Sequence, residues 1–320
     1  MTRRIWRWVR PLLAVGILAA LVWRLGTDAV ADGLAAVDVR SVTAAVGIGL
    51  VTTVASAWRW RVVARGLGLS LPLWTAVADY YRGLLLNAVL PAGVLGDVHR
   101  AVDHGRRCGD LGRGVRAVVF ERFAGQAVLV AAAVAVLVAR PLPGVAVDGT
   151  VAAMVVTAMV AGCGLAAVAS ARVRRVARTT WADARAGLLS AYALPRVTLA
   201  SAAVLAGHLA LFVVAARAAG VAAPVGHLVA LALPALLVMA VPVSIGGWGP
   251  REAFLAVAFG ATGLGAGQGL TTAVVYGVLA LAAAAPGVLV LSRRPQHGEV
   301  LAERVGQRSQ QRLALAGRGA

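Results

Sequence analysis

Polar surface is what this sequence has least of. Only 14% of its 320 residues are charged, against 60% hydrophobic. A water-soluble domain of any size needs more polar area than that, so the composition excludes one. Cysteine is nearly absent. Cys108 and Cys163 fall in an expected turn and an apolar stretch, which excludes a disulfide framework and leaves neither with metal-ligand company. His208 and His227 have no second ligand at zinc spacing, and the expectation for each is a hydrogen bond to a nearby carbonyl; no metal site is expected. The sequence has no P-loop, so ATP-driven pumping by this chain alone is not expected, nor is any cofactor.

Lysine is missing altogether: all 31 basic residues are arginine, and the formal net charge is +18. In a soluble protein such an excess would raise the question of nucleic acid. Here the arginines cluster in short stretches between apolar runs, as where cytoplasmic loops meet anionic lipid, and nucleic acid is not an expected partner.

What is present is Ala, Val and Leu with 37 glycines, a mixture suited to helices packed closely in lipid. Apolar runs measured against the ~20 residues a helix needs to cross the hydrocarbon fall at 9–25, 41–57, 115–139, 150–171, 198–219 and 271–291. The expected fold class is therefore all-α, a polytopic transmembrane bundle of about six full spans. Arg3, Arg4, Arg7 and Arg10 before a short apolar core, with Ala29-Val30-Ala31 after it, also resemble a secretory signal, but the further spans favour an uncleaved anchor. Two more apolar regions, 72–104 and 225–264, are each broken by a Pro/Gly-rich segment carrying charges, and each reads as a re-entrant helical hairpin.

Arginine placement sets the orientation. Arg24, Arg40, Arg140, Arg217 and Arg251 are assigned to the outer side and Arg122 to a span; the rest precede the first span, lie in the 58–116 and 172–197 stretches, or follow the last span. Both termini are thus expected in the cytoplasm of a cell inner membrane. The first hairpin then enters from the cytoplasm and the second from outside, so the two oppose each other as broken helices do in transporters. The stretch 172–197 reads as an amphipathic cytoplasmic linker, and Trp58, Trp60 and Trp74, with the WRWR run at 58–61, read as an interfacial belt. Residues 1–291 form one transmembrane domain, and 292–320 a disordered tail.

The chemistry sits in the breaks. The first reads YYRGLLLNAVLPAGVLGDVHRAV from Tyr80 to Val102, bringing Arg82, Asn87, Asp97, His99 and Arg100 next to Pro91, Gly93 and Gly96. Asp97 is the expected N-cap of the returning helix, with Arg100 one turn on. The second reads LPALLVMAVPVSIGGWGPREAF from Leu233 to Phe254, where Pro242, Ser244, Gly246, Gly247, Gly249 and Pro250 lead into Arg251 and Glu252. Pro250 suits a first helical turn, and a glycine-rich tip before a helix N-terminus can offer N–H groups to an anion, with Arg251 as a bidentate donor. Between the two, Glu121 and Arg122 in VVFERFAG lie near the expected cytoplasmic start of the third span. Compensation within Asp97–Arg100 and Arg251–Glu252 is the alternative to ligand contact.

LLLNAVLPAGVLGDVHRA, then VVFERFAG, then PVSIGGWGPREAF, in that order, resemble the lysylphosphatidylglycerol synthase transmembrane family over about Val42 to Leu291. The resemblance implies a bundle similar to the flippase portion of those synthases, which moves an aminoacylated phospholipid between leaflets. By position it points to Arg82, Asn87, Asp97, Arg100, Glu121, Arg122, Ser244, Arg251 and Glu252 as headgroup contacts, with Pro91, Pro242 and the glycines shaping the backbone. The soluble aminoacyltransferase domain of the full-length synthases is not in this sequence, so synthesis of the aminoacyl-lipid is not expected. The expected partners are membrane lipids: an anionic or modified phospholipid, or a polyprenyl-phosphate-linked lipid. A membrane-embedded transferase, or a partner subunit of a glycosyltransferase or lipid synthase, are the alternatives.

Overall fold

The computed structural model describes residues 28–89, 94–139, 171–239 and 248–292. These fold into helices α1 (Asp28–Ala35), α2 (Val39–Gly66), α3 (Leu73–Val89), α4 (Leu95–Cys108), α5 (Leu111–Ala139), α6 (Ala171–Gly187), α7 (Ala193–Ala218), α8 (Val225–Met239), α9 (Pro250–Ala261), α10 (Ala266–Ala284) and α11 (Pro286–Ser292), with no extended strand among the described residues. The expected all-helical bundle is what forms. Four helical runs, α2, α5, α7 and Ala266–Leu289, are long and apolar enough to cross a membrane. The spans expected at 9–25 and 150–171, the tips of both hairpins and the tail after Ser292 lie outside the described residues.

The helix ends differ from the sequence expectation for local reasons. Asp38 opens α2 with a capping box: its carboxylate accepts the Ser41 N–H at 2.8 Å, and the Ser41 hydroxyl accepts the Asp38 N–H at 3.1 Å. The same helix continues past residue 57 through the WRWR run, because one face of that run is buried rather than interfacial. Helix α5 starts at Leu111, ahead of the expected 115, where the Asp110 carboxylate accepts the Arg113 N–H at 2.9 Å. The expected linker 172–197 divides in two. Helix α6 ends at Gly187, and α7 begins at Ala193, whose N–H donates to the Ser190 hydroxyl at 3.1 Å. Arg116 of α5 pairs with Asp183 of α6 at 2.6 Å, so this stretch is fastened to the bundle.

Lipid tails are as apolar as the side chains they meet, so tight packing has to come from close approach. Small residues supply it: a Cβ on Gly114 would stand 2.5 Å from Gly105 Cα, and one on Gly49 would meet Ala283. Two cores result. One gathers Ala57, Trp60, Val63 and Ala64 of α2, Leu67 just past its end, Tyr80, Ala101, Ala117, and Ala193 and Val197 of α7. The other gathers Ala45 of α2, Leu211 to Ala216 of α7, Leu228, Leu231, Leu255, Phe259 and Tyr276. Helices α2 and α7 run antiparallel through both, since Arg59 meets Ser201 while Thr52 meets Gly207. The pair α3–α4 therefore sits at one end of the bundle and the pair α8–α9 at the other.

Candidate functional site

Helices α3 and α4 form an antiparallel hairpin. Asp79 meets Arg107 near its base, while Asn87 meets Gly96 and Asp97 near its tip. Gly96 permits this approach, because a Cβ there would run into the Gly83 carbonyl. The base packs on the first turns of α5, through Gly105 and Gly114, and the tip reaches Glu121 and Arg122. At 1.5 Å per residue Glu121 lies about 16 Å along α5, a helix about 43 Å long.

Asp97 does not cap the returning helix as expected. Val94 holds the N-cap position without a side-chain hydrogen bond, and Asp97 sits in the first turn. Its carboxylate is taken by arginines: Oδ1 accepts from Arg100 Nε at 2.9 Å, and Oδ2 accepts from Arg122 Nη2 and from Asn87 Nδ2 at 3.3 Å. The Asn87 side-chain oxygen accepts the Gly96 N–H at 2.7 Å, which ties the last turn of α3 to the first of α4.

Glu121 is the hub, with its side chain fully buried. Its Oε1 accepts from Arg59 Nε at 2.9 Å, from Arg59 Nη2 and from the Tyr80 hydroxyl at 3.2 Å; its Oε2 accepts from Arg100 Nη2 at 2.6 Å. Arg59 also donates to the Ser201 hydroxyl at 3.0 Å and occupies space that Gly125 leaves open. The Arg100 guanidinium lies 4.3 Å from the Tyr80 ring centroid and 4.8 Å from that of Trp60. Arg122 is the accessible end of the network, with 43% of its side chain exposed. Because α5 starts at Leu111, Glu121 and Arg122 lie about three turns inside it.

The structure brings Asn87, Asp97, Arg100, Glu121 and Arg122 together, and joins to them Arg59, Trp60, Tyr80 and Ser201, which the sequence reading did not name as site residues. Arg59 and Trp60 belong to the WRWR run read as an interfacial belt; both are buried, whereas Trp74 is 75% exposed. A signal for Arg59 was present: Thr52, Ser56 and Arg59 share one face at helical spacing. Arg82 stands apart from the hub, pairing with the buried Asp79 at 3.2 Å.

The second hairpin has a smaller version of this arrangement. Gly249, at φ 104°, turns the chain into Pro250 at the first helical position, as expected. The Gly249 N–H donates to Glu252 Oε2 at 2.7 Å, and Arg251 donates to Glu252 Oε1, from Nε at 3.1 Å and from Nη2. The N–H and guanidinium expected to face an anion are thus turned toward Glu252. Arg251 lies 5.2 Å from the ring centroids of both Trp248 and Tyr276. Gly277, about 16 Å into α10, makes room for Trp248 and Arg251. His208 meets the Tyr276 hydroxyl at 3.3 Å through Nδ1. Pro91, Gly93, Pro242, Ser244, Gly246 and Gly247 lie outside the described residues. No group of three or more metal-ligand side chains occurs among the described residues.

Residues 7–287 match the family described as the lysylphosphatidylglycerol synthase TM region. No curated protein and no solved structure matches the chain.

Proposed function

The chain belongs to the lysylphosphatidylglycerol synthase TM-region family, and from that premise we propose that it is a lipid translocase. In this reading both hairpins are re-entrant, entering the membrane from opposite faces. The phosphate of a modified or lipid-linked headgroup is met by arginines near mid-depth while the acyl chains stay in the bilayer. In the same reading both termini are cytoplasmic and the membrane is the cell inner membrane; the arginine bias supports the orientation.

The observation that carries this reading is the arginine network at the tip of α3–α4. Ionised groups are costly at such depth and default to a functional role. Two short hairpins at opposite ends of the bundle, each with an arginine stacked on Trp and Tyr, supply a polar path where long spans alone would present apolar faces. We rank a transferase lower because Asp97, Glu121 and Glu252 are each engaged by an arginine, so none of them is presented to a substrate without first giving up that partner.

The test is movement of fluorescent anionic, zwitterionic, aminoacylated and polyprenyl-phosphate lipids in liposomes containing the purified protein, scored by accessibility to an outside quencher. Selective movement that Arg100→Ala abolishes is the expected result. No movement of any lipid would overturn the proposal in favour of an enzyme or a partner-dependent subunit.

A further inference from the structure

Between Arg196 and Arg217, α7 carries a single ionisable side chain, His208. It stands seven residues after Ser201, two turns further along the same face and about 10 Å away. Ser201 accepts from Arg59 of the network at the first hairpin. His208 Nδ1 meets the Tyr276 hydroxyl, and the Tyr276 ring centroid lies 5.2 Å from the Arg251 guanidinium of the second hairpin. Helix α7 therefore carries a polar line from one group of arginines to the other, with a half-buried histidine in it. Intramembrane histidines in such lines default to a functional role, proton relay among them.

The surroundings of His208 make its proton conditional. Helix α7 packs on α2, α5, α8 and α10. The charged side chains whose fields reach the imidazole are Arg59 of α2 and Arg122 of α5. Helix α10 presents Tyr276, and α8 has no ionisable side chain except His227 in its first turn. The carboxylates of the network, Glu121 and Asp97, are already paired with arginine. An imidazolium at His208 would add a third positive charge beside two guanidinium groups. An anion drawn to those arginines therefore favours the proton, and the proton favours the anion by the same factor. The Tyr276 hydroxyl donates to a neutral ring or accepts from an imidazolium, so neither protonation state loses its partner.

We propose that His208 takes up one proton when an anion occupies the interior beside it and releases that proton when the anion leaves, so that the protein carries a proton together with its cargo. This rests on the translocase reading and adds the coupling ion to it. Uptake converts the neutral imidazole to imidazolium, and no bond in the cargo changes. For a cargo of one negative charge the loaded protein gains no net charge. The crossing is then electroneutral, driven by a pH difference and indifferent to the membrane potential.

The experiment titrates the full chain in maltoside detergent with dioctanoyl phosphatidylglycerol, an anionic lipid, in buffers of different ionisation enthalpy, so that calorimetry counts the protons taken up per lipid bound. Dioctanoyl phosphatidylcholine is the zwitterionic control. Uptake should peak at roughly half a proton or more between about pH 5 and 7 with the anionic lipid and stay near zero with the control. His208→Gln should abolish the uptake, and His227→Gln should leave it in place. In the liposome assay, acidifying the outside by about two pH units should speed loss of anionic lipid from the outer leaflet on the order of tenfold. In His208→Gln that acceleration should vanish.

No uptake with phosphatidylglycerol, or equal uptake in folded His208→Gln, would overturn the assignment. Should that variant not fold, the native protein decides: a crossing that follows a valinomycin-set potential and ignores the pH step sinks the proposal. Lipid movement with neither proton uptake nor a pH response would remove this inference and leave the translocase reading standing. Proton uptake on anion binding without movement of any lipid would do the reverse, leaving the linkage at His208 and removing the translocase.

Discussion

Glu121→Gln removes the one negative charge shared by two buried guanidinium groups while keeping the side chain's shape. In the native protein the carboxylate accepts from Arg59 at 2.9 Å, from Arg100 at 2.6 Å and from Tyr80 at 3.2 Å, with its side chain fully buried. The amide leaves Arg59 without a carboxylate and Arg100 with Asp97 alone, and it turns an NH2 group toward one of the guanidinium groups. Breaking a buried pair from one side costs about 3–5 kcal/mol, most of it from the stranded charge. The upper half of that range is expected here, because two arginines lose a shared partner. Reversible unfolding of the purified protein in mixed detergent–SDS micelles reads the difference directly. The double variant Arg59→Gln/Glu121→Gln should recover about 1–3 kcal/mol of the summed single losses, since one stranded charge is gone. A single-variant loss below about 1 kcal/mol, or strictly additive losses, would refute the network as described.

Gly96→Ala places a methyl group against the Gly83 carbonyl and should cost about 3 kcal/mol in the same assay, whereas Gly47→Ala, whose Cβ meets nothing within 4 Å, should be neutral or gain up to about 1 kcal/mol. Tyr80→Phe removes a hydroxyl donor to Glu121 and should cost about 1 kcal/mol while leaving the ring against Arg100. The Ser41 N–H and hydroxyl hold the Asp38 carboxyl below its ordinary range. Its capping contribution is therefore complete at neutral pH and is lost as pH falls through that lowered value. Amide exchange in the first turn of α2 should accelerate on acidification, and Asp38→Asn should abolish that pH dependence.

Much of the bundle was legible because apolar run length and Pro/Gly breaks are one-dimensional signals. The helix pairs α3–α4 and α8–α9 fall within the regions 72–104 and 225–264 that the sequence marked out. Helix ends were less legible: the caps at Asp38 and Asp110 lie outside the apolar runs that were measured. Partner choice was the least legible. Asp97 carries the residue type and position of an N-cap, yet Arg122, distant in sequence, claims its carboxylate. Arg59 sits in a run whose composition suits an interface as well as an ion-pair network. Only the packing of α2 against α5 and α7 decides between the two, because it brings Glu121 and Ser201 to the same guanidinium.

Stability is a poor explanation for so much charge at this depth. A close-packed apolar cluster of similar volume would hold α3–α4 against α5 at least as well, because desolvating several ionised groups offsets most of what their pairing returns. The second core shows the alternative: Leu228, Leu231, Leu255 and Phe259 fasten α8–α9 with almost no exposure, and the Arg251–Glu252 pair there is internal to one helix start. At the first hairpin the ion pairs instead join three separate elements, α2, α4 and α5, through one carboxylate. An incoming anion that competes with Glu121 or Asp97 for an arginine would therefore loosen contacts between helices, not within one. In the proposed translocase, the arginines that would meet a headgroup also tie α4 to α5 through Asp97 and Glu121, so binding there is expected to alter the hold of the hairpin on its neighbour.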